Sequence, residues 1–341
     1  MIQIVRWNPQ SKLAERVTVE ELPKNIAEIP ADAVYWIDLD RPTVEEETFV
    51  LQQFLQVHPL TLEDITKPRR EPEQGAHLPK VEEFPYYLFV IVNPLPSEAM
   101  EEHRSKRFRF GKRDRPQLSA VITHTVLITH HYNEMRCVFD GQKFLERHAG
   151  SLARGPDYVF HLVLDGIVDE YTPVVESIAD ELDTLETRMF RSPAPQILSR
   201  LLRLKRRVTF LRKTLILERE VLARLIRGEF HLVEQSEIVY YRNVYDHQVR
   251  YTELIESARE MVSDLMQTHL AAISNRLNEV MKTLTIISVM GLMCGVIAGI
   301  YGMNFKHMPE LDWVWGYPMA LGLMATAVLV ILGVFKWKKW L

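Results

Sequence analysis

Two uncharged segments near the carboxyl terminus constrain the fold of this 341-residue chain most strongly. Residues 283–305 and 313–335 each comprise 23 residues without Asp, Glu, Lys or Arg. As helices, each would be roughly 35 Å long, enough to cross a bilayer core about 30 Å thick. A single run of this kind also fits a buried helix of a soluble protein. Two of them, separated by a seven-residue polar loop, predict a pair of transmembrane helices.

The charges that flank these segments predict their orientation. Lys336, Lys338 and Lys339 follow the second segment, whereas the loop 306–312 contains two acidic residues and one lysine. Because positive charge concentrates on the cytoplasmic side of a membrane protein, we expect the tail 336–341 and the N-terminal region in the cytosol. The loop then faces outward. Aromatic side chains suit an outer and an inner interface, at Trp313, Trp315 and Tyr317 and at Trp337 and Trp340.

A long helical pattern precedes the first uncharged segment. Apolar side chains recur at three- and four-residue steps, and no proline or glycine occurs between residues 229 and 290. The pattern predicts one helix from about Ser236 to Gly302, roughly 100 Å long. A stalk over residues 235–282 would therefore continue into the membrane. Since an isolated helix of this length is not stable by itself, we expect copies of the chain to pack along it.

Residues 1–150 predict a mixed α/β domain in the cytosol. Short apolar runs rich in β-branched and aromatic residues alternate with helical patterns. The predicted strands are 34–39, 87–92, 119–122 and 125–129, and a predicted helix spans 44–55. The fold class is therefore an α+β membrane protein.

Residues 151–234 predict a helical hairpin with opposite charges on its two arms. Residues 157–187 hold nine acidic side chains and no Lys or Arg, whereas residues 200–227 hold ten Lys and Arg. Ser192-Pro193-Ala194-Pro195 lies between them and predicts a turn. An antiparallel pair with complementary faces is the simplest interpretation, and a cation or polyanion site could coexist with it. A further basic run, 104–115, fits a solvated loop between strands or a contact with anionic lipid.

Several classes of protein are disfavoured by composition. The net charge of −4 gives no indication of nucleic-acid binding, and two distant cysteines make no disulfide framework. The first residues lack a signal-peptide pattern. The chain has no Gly-rich phosphate loop, no His-Glu-x-x-His and no Gly-x-Ser-x-Gly, so we expect no enzyme. His124, His130 and His131 lie in strand-like sequence and are interpreted as structural.

A pair of motifs surrounds the outer end of the first uncharged segment. Tyr301-Gly302-Met303-Asn304 ends it, and Met308-Pro309-Glu310-Leu311 follows in the loop. Together with the long preceding helix, this arrangement resembles the CorA family of magnesium transporters, over essentially the whole chain. The resemblance implies a homopentamer whose first span lines a pore, with Gly302, Met303 and Asn304 as the selectivity filter. Glu310 resembles the loop of the magnesium branch more than that of the zinc branches.

One face of the first span carries the predicted pore. Residues at three- and four-residue steps before the motif are Asn278, Met281, Leu284, Ser288, Leu292 and Gly295. The resemblance implies a hydrophobic gate at Met281 and Leu284 and a polar mouth at Asn278. The family commonly has Thr at the position of Gly295 and a proline-containing stretch at 291–294. We therefore expect a wider and less polar middle of the pore, which leaves the ion selectivity open.

The resemblance also implies regulatory Mg²⁺ between neighbouring soluble domains. His58-Pro59-Leu60-Thr61-Leu62-Glu63-Asp64 matches the family's motif, in which Glu63 and Asp64 supply half of a site. A second acidic pair, Asp165 and Asp169, lies four residues apart on one helix. At the stalk position where an aspartate is expected, this chain has Asn243, with Asp246 as the nearest substitute. Any of these acids could instead lie on a solvated helix face.

Two alternatives to magnesium transport remain at this point. Co²⁺, Ni²⁺ or Zn²⁺ could be the transported ion of a protein with the same fold. A membrane-anchored regulatory protein is the alternative from a different class, and a permeability assay separates it from a transporter.

Overall fold

The computed structural model describes residues 1–96, 115–191, 195–304, 306–338 and 340. Most of the basic run 104–115 and of the 192–195 turn lies outside the described residues, so both interpretations stay predictions. The chain divides into two compact units, Met1–Leu265 and Met266–Leu341.

A seven-stranded mixed sheet forms the centre of the first unit. Its order is β2-β1-β3-β7-β6-β5-β4, and only β3 and β7 pair in parallel. The strands are β1 (Ile2–Asn8), β2 (Leu13–Val17), β3 (Val34–Asp40), β4 (Lys80–Glu83), β5 (Leu88–Val92), β6 (Leu118–Ile122) and β7 (Val126–His131). The four sequence-predicted strands correspond to β3, β5, β6 and β7. This confirms the mixed α/β character of the domain.

The helix predicted over residues 44–55 differs from a regular α-helix. Only α1 (Val44–Glu47) is α-helical; it begins after Thr43, whose hydroxyl caps the Glu46 amide. A π-helical segment, Thr48–Phe54, then places Val50, Leu51 and Phe54 in the core. Apolar residues that recur every three or four positions lie on one side of both an α-helix and a π-helix. The sequence pattern therefore does not distinguish the two.

Further helices complete the first unit or continue from it. They are α2 (Pro59–Arg70), α3 (Arg136–Arg147), α4 (Pro156–Arg191), α5 (Pro195–Ile226) and the start of α6 (Ile238–Tyr301). Glu181 of α4 forms ion pairs with Arg200 and Arg207 of α5, whereas the earlier Tyr171 bonds to the later Glu218. The two helices are therefore antiparallel, with acidic groups of one arm facing basic groups of the other.

The two strand histidines have structural partners. His130 Nε2 lies 3.1 Å from Glu47 Oε1, and His131 Nδ1 lies 2.6 Å from the Asn133 carbonyl oxygen. Both rings are buried. Burial lowers the pKa of His130, although Glu47 beside it acts in the opposite direction. The contact between His130 and Glu47 joins β7 to α1, and the contact of His131 is local.

The second unit contains the remainder of α6 and a second apolar helix, α7 (Gly316–Trp337). Helix α6 begins and ends within two residues of the predicted limits and contains 64 residues. Both helices are long and apolar enough to cross a membrane. The predicted long helix followed by an apolar helix is thus confirmed.

Candidate ion pathway and metal-sensing residues

Two opposite faces of the membrane part of α6 differ in burial. Ile286 and Ile297, 11 residues apart, are its buried residues. Leu284 and Ser288 each lie two residues from Ile286, and Gly295 lies two residues from Ile297, which places these three about 200° around the helix from the buried residues. All of the predicted pore residues are exposed in the single chain: Asn278, Met281, Leu284, Ser288, Leu292 and Gly295. The face assigned to the pore is therefore free for contact with other copies or with ions.

Helix α6 ends immediately before the predicted filter. The Gly302 amide donates to the Ala298 carbonyl oxygen at 2.9 Å, and the Met303 amide donates to Ile300 at 3.3 Å. A Cβ atom at Gly302 would lie 3.0 Å from the Ala298 oxygen, so a larger residue would push the chain away there. Asn304 follows, three residues beyond the end of the helix. Its side chain is exposed, and no hydrogen bond to it occurs within the described residues.

The loop that follows is closed by a tight backbone contact. Glu310 lies exposed in the single turn Pro309–Leu311. A Cβ atom at Gly316 would lie only 2.1 Å from the Glu310 carbonyl oxygen, a separation that no side chain tolerates. The Gly316 amide also donates to the Trp313 carbonyl oxygen at 2.9 Å. Glycine at 316 therefore fixes the path of the loop that carries Glu310.

The C-terminal tail approaches the predicted gate. Trp340 stacks on Phe335 with ring centroids 5.5 Å apart. Together with Asn278, Met281 and Lys282 it lines a cavity of about 550 Å³. The sequence placed Trp340 in an aromatic belt but gave no indication of this proximity to Met281.

The predicted acidic motif, residues 58–64, forms the start of helix α2. His58 Nδ1 accepts a hydrogen bond from the Leu60 amide, and Pro59 occupies the first turn, where its missing N–H costs nothing. Glu63 is exposed and pairs with Arg70 at 3.1 Å. Asp64 is more enclosed, because Lys80 Nζ lies 2.5 Å and His77 Nε2 lies 2.8 Å from its two oxygens. Burial lowers the pKa of His77, so Lys80 is the cationic partner that Asp64 already has within one chain.

The second acidic pair lies between α4 and α6. Asp165 is half-buried, and its pKa is raised by burial and by the neighbouring Asp169, while nearby His247 of α6 lowers it. Asn243 and Asp246 are exposed on α6. The sequence did not indicate His247 as a neighbour of this pair.

These acids do not form a complete metal site in one chain. Across the described residues, no group of three or more His, Cys, Asp and Glu side chains is arranged to hold a metal ion. The pair at α2 and the pair at α4 each offer two carboxylates. Since Mg²⁺ prefers six oxygen ligands, a protein-bound ion here would need ligands from water or from a second chain.

Comparison with known proteins decides the family. The profile of CorA-like Mg2+ transporter proteins matches residues 31–339. This chain belongs to the CorA family. The Cobalt/magnesium transport protein CorA of Thermotoga maritima is 35% identical over 315 residues, covering 90% of this chain and 83% of that protein. The Cobalt/magnesium transport protein CorA of Methanocaldococcus jannaschii is 22% identical over 309 residues, covering 90% and 91%.

The fold agrees with that of a solved family member. The complete structure of the CorA magnesium transporter from Methanocaldococcus jannaschii matches with a TM-score of 0.76 at 19% identity, covering 100% of this chain and 99% of that one. The CorA family consists of transporters, so the prediction that the chain is not an enzyme is confirmed. The family resemblance inferred from the two motifs is likewise confirmed.

Proposed function

We propose that this protein forms a homopentameric channel in the cytoplasmic membrane through which Mg²⁺ enters the cell. The observation that carries the proposal is the position of Asn304 in a CorA chain, exposed beyond the end of α6 with no hydrogen bond among the described residues. Two membrane helices cannot enclose a pore, so several copies must surround one axis. A ring of Asn304 amides would then offer neutral oxygen atoms to a passing ion.

Neutral oxygens suit the passage of Mg²⁺. The ion loses its hydration water reluctantly, so amide dipoles of Gly302-Met303-Asn304 would hold it through its water shell. A carboxylate ring at the same position would bind it more tightly and slow its release. Below the filter, the exposed side chains of Met281 and Leu284 would form a hydrophobic ring that closes by excluding water.

The membrane potential supplies the driving force. A divalent ion that crosses 100 mV, inside negative, gains about 4.6 kcal/mol, twice the value for a single charge. This corresponds to accumulation by about three orders of magnitude. Gating would follow from cytosolic Mg²⁺ at Glu63 and Asp64, with Asp165, Asp169, Asn243 and Asp246 as further contributors. The transport names of the Thermotoga and Methanocaldococcus relatives support Co²⁺ as a second transported ion.

Ion flux into liposomes tests this proposal. The purified protein is reconstituted, a potential is imposed with valinomycin, and uptake of Mg²⁺, Co²⁺, Ni²⁺ and Zn²⁺ is compared. We expect potential-dependent Mg²⁺ uptake that Asn304→Ala abolishes, while native mass spectrometry gives the same pentamer for both proteins. Asn133→Ala, an exposed position of the first unit outside the ion pathway, is the matched control and should conduct normally. Normal uptake by Asn304→Ala would refute the filter, and no uptake of any ion would favour a membrane-anchored regulator.

A further inference from the structure

A cavity of about 590 Å³ lies between α5 and the segment that leads into β4. This volume is within the range of small-molecule binding sites, about 300–1,000 Å³. One wall consists of Leu202, Lys205, Arg206, Thr209, Phe210 and Lys213 of α5. The opposite wall includes Gln74, Ala76, Leu78 and Arg115. All of these residues belong to the first unit, outside the ion pathway.

All charged side chains among the described residues that line the cavity are basic. Four side chains are basic and none is acidic. Lys205, Arg206 and Lys213 are exposed, and no ion pair to them occurs within the described part of the chain. The cavity therefore holds positive charge that the described residues do not neutralise.

Other arginines of α5 form ion pairs with acidic residues. Arg200 bonds to Glu181 on α4, Arg212 pairs with Glu256 on α6, and Arg224 pairs with Glu229. These three arginines thus have acidic partners, which lie on α4, on α6 and in the segment after α5. Such pairs do not account for the basic groups that face the cavity.

Arg115 adds a partly desolvated charge. Its Nε atom is buried and has no hydrogen-bond partner, and its guanidinium lies over the Phe210 ring at 4.4 Å from the centroid. Burial lowers the pKa of this guanidinium. No ion pair to Arg115 occurs among the described residues, and an anion in the cavity would offset the cost of burying its charge. The planar guanidinium groups of Arg115 and Arg206, which both line the cavity, are suited to bidentate contacts with phosphate.

The spacing on α5 brings Arg206 and Lys213, seven residues apart, to one side of the helix. Residues 202, 206, 209 and 213 follow three- and four-residue steps, so their side chains lie in a row along the helix. Leu202 begins this row, and Ala76, Leu78 and Phe210 supply apolar surface beside it. The cavity thus combines a cationic strip with an apolar wall, which suits a ligand that has both a multiply charged and an apolar part.

We propose that this cavity binds a soluble organic polyphosphate of the nucleoside di- or triphosphate class. The phosphate chain would contact Arg115, Lys205, Arg206 and Lys213, whose four positive charges match its three or four negative ones. The base or sugar would rest against Leu78 and Leu202. The binding is separate from ion conduction and does not depend on it.

Equilibrium dialysis of the full-length protein in detergent tests the assignment. ATP, ADP, AMP, pyrophosphate and dihexanoyl phosphatidic acid serve as probes, each with EDTA and with Mg²⁺. We expect saturable ATP binding at least about tenfold tighter than AMP binding, and weaker binding at high salt because exposed charges are screened. The pyrophosphate probe separates the phosphate chain from the apolar part of the ligand. Phosphatidic acid that binds more tightly than ATP would identify a lipid headgroup and overturn the proposal.

Variants of α5 locate the site. Arg206→Ala and Lys213→Ala should each weaken ATP binding by about 3- to 10-fold, a typical loss for one partly exposed charged contact. Arg206→Glu should abolish saturable binding. Arg203→Ala is the matched control, because Arg203 is exposed on the same helix and does not line the cavity. Equal affinity in the parent and in Arg206→Glu, or no saturable ATP binding by the parent, would refute the site without bearing on Mg²⁺ flux.

Discussion

The carboxylate of Asp64 is bound by the ammonium group of Lys80, whose Nζ atom donates a hydrogen bond of 2.5 Å to Oδ2. Lys80 begins strand β4 and also donates to Glu82 at 2.9 Å. The contact couples α2 to the edge of the sheet. A divalent ion that uses Asp64 must therefore compete with a cation already in place.

Replacement of this lysine should strengthen the proposed Mg²⁺ sensor. Lys80→Gln removes the competing charge and retains hydrogen-bonding ability, so Asp64 becomes available to a metal ion. We expect the Mg²⁺ concentration that gives half-maximal protection against limited proteolysis to fall about 3- to 10-fold. This is the size expected when one partly screened ion pair no longer competes with the metal ion. Arg16→Gln, which breaks the exposed pair with Glu146, is the control and should leave that concentration unchanged. An unaltered midpoint in Lys80→Gln would exclude Asp64 from the sensor.

A second prediction concerns Asn243 on α6. An aspartate at this position would repel other carboxylates across a subunit interface, and Mg²⁺ would offset that repulsion. With the neutral amide, we expect weak Mg²⁺ protection of the parent protein and stronger protection of Asn243→Asp. Gln267→Glu adds the same charge elsewhere on the exposed surface of α6 and is the control. If the parent is fully protected at low Mg²⁺ and Asn243→Asp behaves identically, Asp246 becomes the first candidate for the missing ligand.

A third prediction concerns the outer loop. Gly316→Ala places a methyl group where the Glu310 carbonyl oxygen lies, so the loop must move. We expect a destabilisation of about 1–3 kcal/mol, seen as a lower thermal midpoint, together with reduced Mg²⁺ flux. Gly322→Ala lies on the same helix with open space at its Cβ position. That control should be neutral or slightly stabilising, since alanine favours helix. Equal midpoints for the two variants would contradict the close approach.

Strands that are buried on both faces could be predicted from the sequence. Contacts between residues that are far apart in the chain could not. Strands β3, β5, β6 and β7 are buried on both faces, so they appear as continuous apolar runs. Strands β2 and β4 are short and carry exposed charged residues, which gives them no distinctive pattern. The limits of α6 were predictable because neither proline nor glycine interrupts it before the membrane segment.

The features of the candidate site also differ in whether they could be predicted from the sequence. The Gly302-Met303-Asn304 motif is contiguous and can be read directly from the sequence. The bond between Asp64 and Lys80 depends on how α2 meets the sheet edge, and no residue spacing encodes that. The need for glycine at 316 arises from a carbonyl group six residues earlier, which becomes a neighbour only after the loop folds.

A buried carboxyl group joins three helices and the end of β5. Glu218 of α5 accepts hydrogen bonds from the Asn93 amide at 3.1 Å, the Tyr171 hydroxyl at 2.8 Å and Gln248 Nε2 at 3.1 Å. Burial raises its pKa from 4.5 to about 7, although the three hydrogen bonds act in the opposite direction. Gln248 belongs to α6, so the protonation of Glu218 affects the attachment of the long helix to its own domain.

The last prediction follows from this raised pKa. The folded protein holds the Glu218 proton more strongly than the unfolded chain, so the stabilisation is fully present below pH 4.5 and is lost as the pH rises through about 7. The full difference amounts to about 3 kcal/mol. Glu218→Gln cannot ionise, so its stability relative to the parent should increase between pH 5 and pH 8, as measured by thermal unfolding. Glu170, whose pKa burial raises to about 8, also titrates in both proteins, and the Glu218 charge contributes a smaller part of that rise, so the comparison is repeated in a Glu170→Gln background. Glu220→Gln, exposed on the same helix, is the control; parallel pH profiles for the parent and Glu218→Gln would show that Glu218 does not titrate in this range.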